Sequence, residues 1–143
     1  MDIRRAVAGD LPEIRALLRA CDLRGEDVGE TGPAFLIARG GAELAGCIGL
    51  EVHGQDALLR SLAVLPACRR RGLGAALHDR AVEEARALGV RRLFLLTSTV
   101  RERAARSGFE DFPREGLPAS IRDGAQVRSL CPATAACMQL RIG

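Results

Sequence analysis

The residues best suited to do chemistry lie in one stretch, Leu62-Ala63-Val64-Leu65-Pro66-Ala67-Cys68-Arg69-Arg70-Arg71-Gly72-Leu73-Gly74-Ala75-Ala76-Leu77. An apolar strand ends at Val64, a turn with three arginines follows, and two glycines open an amphipathic helix. The first N–H groups of a helix have no partner within it, and the helix dipole puts partial positive charge there. Glycine lets the main chain come close to an anion, and arginine adds charge-assisted hydrogen bonds to phosphate oxygens. The stretch is therefore a candidate pyrophosphate cradle. The pattern Arg-x-x-Gly-x-Gly is weak by itself, since a chain of this composition carries it by chance about once in four. The strand before and the helix after raise its weight above that of a solvated arginine turn capping a helix. A dinucleotide site of the Rossmann kind is disfavoured, because it needs a parallel βαβ unit and an acidic residue ~20 positions on.

Other candidates surround this stretch. Strand periodicity puts Leu58, Arg60 and Leu62 on one face. Arginine is no base at neutral pH, but it can clamp an acid through two parallel hydrogen bonds. Arg60 is expected to anchor an acidic, amino-acid-like substrate; the alternative is a surface arginine on an edge strand. On the preceding strand, Glu51 is a candidate general base acting through water, and His53 shares its face. Either is as readily a solvated hairpin residue. Cys21, Cys47, Cys68, Cys131 and Cys137 form no Cys-x-x-Cys pair and His53 and His78 complete no zinc spacing, so no metal site is expected. Buried, inert thiols are the ordinary reading of such cysteines.

Elements must hold these groups in place. Ile3 to Val7 reads as a first strand, Asp10 as an N-cap with Glu13 at capping-box spacing, and Leu11, Ile14, Leu17, Leu18 and Cys21 as one face of a helix ending near Cys21. Arg24 to Pro33 reads as a loop or short irregular helix. Phe35–Ala38, Leu44–His53 and Ala57–Val64 read as a meander turned at Gly40-Gly41 and Gly54-Gln55-Asp56. Gly72 to Leu88 follows as a helix with Leu73, Leu77, Ala81, Ala85 and Leu88 inward and Gly89 as its stop. Arg92–Leu96 is a buried-type strand, Val100–Ser107 a short polar helix, and Phe109–Phe112 and Ala135–Arg141 are closing strands.

Composition bounds the rest. With 143 residues, 48% of them hydrophobic and 27% charged, the chain suits one domain, residues 1–143, that needs no disulfide to hold its core. All 21 basic residues are arginine, which excludes a catalytic lysine or a Walker-type phosphate lysine. Tyr and Trp are absent and net charge is only +3, so stacking on nucleic acid is not expected. No apolar run approaches a membrane span and the N-terminus does not read as a signal peptide, which makes the cytoplasm the expected compartment.

The sequence 69–74 resembles the acetyl-CoA-binding motif, Arg/Gln-x-x-Gly-x-Gly/Ala, of the GNAT acetyltransferases. Leu58–Val64 is similar to that family's fourth strand, Gly89–Thr97 to its fifth, and Ser107-Gly108-Phe109 to the Gly-Phe before its sixth. The resemblance implies an α/β (α+β) fold with a central mixed, mostly antiparallel sheet flanked by helices. It implies acetyl-CoA as co-substrate, a small-molecule amine as acceptor, direct attack with no covalent intermediate, and, by analogy, a homodimer. Carried over by position, the main chain of Leu62, Ala63 and Val64 meets the pantetheine, and the Leu62 N–H polarises the thioester oxygen. Arg69, Arg70, Arg71, Gly72, Leu73, Gly74 and Ala75 hold the pyrophosphate. The family's frequent tyrosine acid falls at Ala104, leaving Arg103, Arg106 or solvent to meet the departing thiolate. A narrower similarity, in Leu58–Val64, Leu95–Thr97 and Ser129–Ala135, points to ArsN-type arsenic-resistance acetyltransferases and short N-acetylglutamate-synthase-like proteins. It implies an arsinothricin- or phosphinothricin-like acceptor. Glutamate acetylation, a non-catalytic acetyl-CoA or arsenical sensor and protein N-terminal acetylation are the alternatives.

Overall fold

The computed structural model describes residues 2–23, 25, 28–29, 33–97, 101–124 and 135–142. Eleven helices and strands are named here, in chain order: β1 (Ile3–Arg5), α1 (Leu11–Ala20), β2 (Ala34–Gly40), β3 (Glu43–His53), β4 (Asp56–Val64), α2 (Leu73–Ala87), β5 (Arg92–Thr97), α3 (Arg101–Arg106), β6 (Glu110–Asp111), α4 (Ala119–Arg122) and β7 (Ala136–Arg141). The strands form one sheet in the order β1-β2-β3-β4-β5-β7-β6. The β4–β5 pair is parallel, while β1–β2, β2–β3, β5–β7 and β6–β7 are antiparallel. The expected mixed, mostly antiparallel sheet with helices is what the structure shows.

The chain packs as two compact units, one made of residues 1–51 and 59–84, the other of 52–58 and 85–143. In the first unit Ile14, Leu17 and Leu18 of α1 meet Phe35, Ile37, Leu44, Cys47 and Ala63, so the helical stripe and the alternate strand residues form one apolar layer. Burying such side chains contributes roughly 1.5–3 kcal/mol each. Val28, in a stretch that reads as polar, joins this core, and its carbonyl accepts both Nε and Nη2 of Arg15 at 3.0 and 2.7 Å. The rest of the expected 24–33 loop falls largely outside the described residues. In the second unit Leu58, Phe94, Leu117, Ile121 and Cys137 form a separate core, with the Phe94 and Phe112 rings 5.2 Å apart.

Four expectations are corrected. The first strand stops at Arg5 rather than Val7, although the Ala6 N–H still reaches the Phe35 carbonyl at 2.9 Å. The cause is a 3₁₀ turn, Ala8–Asp10, that runs directly into α1. Asp10 has helical φ/ψ and caps nothing in α1; its carboxylate reaches back to the Val7 N–H at 2.8 Å and also takes Arg4 and Arg39. Glu13 pairs with Arg39 instead of closing a capping box. Leu88 is 52% exposed and is not part of the core stripe, because α2 ends at Ala87. Val90 takes the inward place: its N–H bonds the Ala85 carbonyl and the Gly89 N–H bonds that of Arg86, the paired bonds of a Schellman ending with Gly89 at φ +84°. The same pair of bonds ends α3 at Ser107-Gly108-Phe109, so the Gly-Phe dipeptide is first of all a helix stop. The strand expected over Phe109–Phe112 is only Glu110–Asp111, and α4 has too short an apolar period to be read from sequence.

Candidate active site

Strand β4 is central in the sheet, not an edge. Its parallel ladder with β5 covers three pairs, Asp56↔Arg92, Ala57↔Leu93 and Leu58↔Phe94. Six residues of β4 continue beyond it, and within them Ser61 stands in the left-handed region at φ +56°, where a non-glycine residue is uncommon. Such local strain persists only where surrounding contacts hold it. Here the Ser61 carbonyl accepts the buried Cys47 thiol at 3.5 Å, and the Ser61 hydroxyl accepts Nε of Arg60 at 3.1 Å. Leu62 and Val64 are half-buried and Ala63 is buried.

The turn after β4 starts with a 3₁₀ segment, Pro66–Cys68. Arg69 follows in extended conformation, and Arg70 and Gly72 both have positive φ, +66° and +79°. The first helical bond of α2 runs from the Ala76 N–H to the Gly72 carbonyl at 3.0 Å. The N–H groups of Leu73, Gly74 and Ala75 therefore precede the ladder, in the place where an anion is stabilised. A Cβ at Gly72 would meet nothing within 4 Å, so glycine is needed there for its φ and not for space. Arg70 and Arg71 are exposed beside it, whereas Arg69 turns its side chain onto Val64 and Cys21.

Gly46 sets the height of α2 over the sheet. A Cβ there would lie 3.0 Å from Leu77, 3.1 Å from the Ala63 carbonyl and 3.3 Å from Leu73. The sequence shows Gly46 only as a glycine within a strand, which by itself signals a close backbone approach.

Arg60 is not a surface arginine: its side chain has no exposed area, and Nη1 lies 3.4 Å from Oε2 of Glu51, which is 20% exposed. The two site residues proposed from adjacent strands are thus brought together as an ion pair. Gly49 makes that possible, since a Cβ there would lie 3.2 Å from the Arg60 stem, the Arg60 carbonyl and the Phe35 ring. His53 is half-buried on the same strand.

The cysteines and the segment around Ala104 complete the set of candidates. Burial pushes the Cys47 thiol up to about 12 and raises that of Cys137, so both stay protonated at neutral pH. Cys131 lies outside the described residues, as does most of the Ser129–Ala135 string. Among the described residues no group of three metal-ligating side chains exists. In the second unit Ala104 is buried, and its carbonyl accepts the Phe109 N–H at 3.0 Å. Arg103 and Arg106 are exposed there, and Arg101 pairs with Asp111.

Residues 8–109 match the model of the acetyltransferase (GNAT) family. The chain belongs to that family. This GNAT chain is 30% identical to the amino-acid acetyltransferase of Neisseria meningitidis, over 85% of its own length and 30% of that protein's. It therefore spans about a third of the length of the curated relatives it matches. N-acetylglutamate synthase from Neisseria gonorrhoeae, solved with coenzyme A and N-acetyl-glutamate, superimposes with a TM-score of 0.82 at 26% identity, covering 99% of this chain and 35% of that one. Rv2747 from Mycobacterium tuberculosis, solved with CoA and a second ligand, gives 0.79 at 25% identity and covers all of both chains.

Proposed function

We propose that the chain moves the acetyl group of acetyl-CoA onto the amine of a small, acidic, amino-acid-like acceptor. The observation that carries this reading is the bend from Arg69 to Ala75. It combines positive φ at Arg70 and Gly72, helical N–H groups ahead of the ladder and two exposed arginines, all suited to a diphosphate.

In the reaction the amine nitrogen attacks the thioester carbonyl, the C–N bond forms and the C–S bond breaks. The Leu62 N–H stabilises the developing oxyanion. Glu51, the solvent-facing member of the ion pair, receives the ammonium proton directly or through one water. The departing thiolate takes a proton from solvent. Arg60 is enclosed and paired with Glu51, so a direct clamp on an acidic acceptor requires Glu51 to move aside.

Glutamate is the first acceptor to test, because the relatives are amino-acid acetyltransferases and one is solved with N-acetyl-glutamate. The Leu58–Val64 string favours a second reading, the ArsN-type detoxification of arsinothricin- or phosphinothricin-like acids. The test is calorimetry with acetyl-CoA, then thiol release with a panel of glutamate, glutamine, phosphinothricin and neutral amines. Turnover on glutamate alone defeats the detoxification reading, and turnover on phosphinothricin alone defeats the glutamate one. Bound coenzyme with no turnover on any amine points to a sensor, and no binding at all overturns the proposal.

A further inference from the structure

The sequence places Arg69 among the groups that hold the diphosphate, and its side chain is committed elsewhere. Nε donates to the Val64 carbonyl at 3.0 Å, and Nη2 lies 3.6 Å from the Cys21 sulfur. These two nitrogens share one edge of the planar guanidinium, the edge arginine uses for two-point recognition. The Cys21 thiol in turn donates to the same Val64 carbonyl at 3.6 Å. Cys21 is the residue that caps α1, its N–H reaching the carbonyls of Leu17 and Leu18 at 3.1 Å. Val64 is the last residue of β4, and the next N–H, of Leu65, bonds the Ala45 carbonyl of β3 at 2.9 Å.

We infer that Arg69 is a positioning residue, a strut that ties the bend to the end of β4 and the end of α1, and that its guanidinium does not grip the diphosphate. This rests on the reading that acetyl-CoA lies along β4 and the bend. Anion contact then falls to the main-chain N–H groups and to Arg70 and Arg71. A carbonyl oxygen has two lone pairs, and Arg69 and Cys21 take both at Val64. The pantetheine amides are left with the Leu62 main chain and the Val64 N–H, not the Val64 carbonyl.

Two measurements on the full chain test this. Without ligand, hydrogen exchange over residues 65–72 should speed up by about tenfold in Arg69→Ala and by less in Cys21→Ala. Cys21→Ser, which keeps a donor for the Val64 carbonyl, should restore the rate. With donors, KM for acetyl-CoA and for S-acetylpantetheine, which lacks the diphosphate, should rise together by roughly fivefold in Arg69→Ala, with kcat at saturation unchanged. Arg70→Ala and Arg71→Ala should raise KM for acetyl-CoA only. Arg69→Lys, which cannot bridge two acceptors with one planar edge, serves as a second variant and should behave like Arg69→Ala. Unchanged exchange, or a KM increase confined to acetyl-CoA, overturns the strut and returns Arg69 to the diphosphate. Faster exchange in a protein with no turnover on either donor leaves the strut standing and removes the proposed activity instead.

Discussion

Gly72 and Glu51 show how single residues divide the work at this site. At Gly72 the surroundings leave a methyl group free space, and only the φ of +79° excludes other side chains. Gly72→Ala should therefore cost about 1 kcal/mol of local backbone strain, raise KM for acetyl-CoA by roughly fivefold, and barely move Tm. A KM unchanged within twofold would mean that the bend does not carry the nucleotide. At Glu51 the issue is charge. Glu51→Ala removes a carboxylate from beside a guanidinium with no exposed area, and urea unfolding should show a loss of about 1–3 kcal/mol. Glu51→Gln retains an oxygen acceptor and should lose less stability while losing most of the acetyl-transfer rate. Equal stability loss in both variants would separate Glu51 from Arg60. Neither Gly49 nor the burial of Arg60 was legible from the sequence: alternation gives the face a residue occupies, but not whether its neighbours close over it.

At the scale of elements, the ends of β1, α1 and β2 are joined by charges rather than by capping. Asp10 accepts the Val7 N–H, Arg4 and Arg39, and these bonds lower its carboxyl to about 2. The unfolded chain takes up this proton first as pH falls. The stabilisation is thus complete above about pH 4 and is lost as pH drops toward 2. Because Arg4 is half exposed, it amounts to about 1–2 kcal/mol at pH 7. Asp10→Asn should show that loss in urea titrations at pH 7 and match the parent protein below pH 2; a difference that persists below pH 2 would mean the effect is one of packing. The sequence did mark Asp10 as a residue at a helix start. It could not show that a 3₁₀ turn would precede the helix, because that depends on where β1 leaves β2 in the sheet. Gly89 was legible as a helix stop, because a left-handed C′ position is a local requirement of the chain.

For the whole molecule the balance of charge is more informative than its sum. A net charge of +3 is small, yet Arg70 and Arg71 lie exposed beside the N-terminus of α2. Acetyl-CoA binding should weaken severalfold between 50 and 500 mM salt as these exposed charges are screened, whereas binding of S-acetylpantetheine should hardly change. Equal salt dependence for both donors would place the diphosphate elsewhere. Among the described residues no helix is long and apolar enough to cross a membrane. The two compact units each carry a core of their own, so substitutions in the Phe94–Ile121 core should be separable in hydrogen exchange from those in the Leu18–Ile37 core.

Local rules in the chain determined most elements, the helix stops, the arginine–glycine bend and the family that such a bend implies. Each of these depends on residues within a few positions of one another, whose conformational preferences act before any tertiary contact forms. Tertiary structure alone decided that Arg60 is enclosed and paired, that Glu51 is the member facing solvent, that Arg69 is bound to Val64 and Cys21, and that Leu88 is outside while Val90 is inside. Those outcomes depend on distances between segments far apart in sequence, such as the 48 positions from Cys21 to Arg69, and periodicity along one segment carries no information about what folds over it.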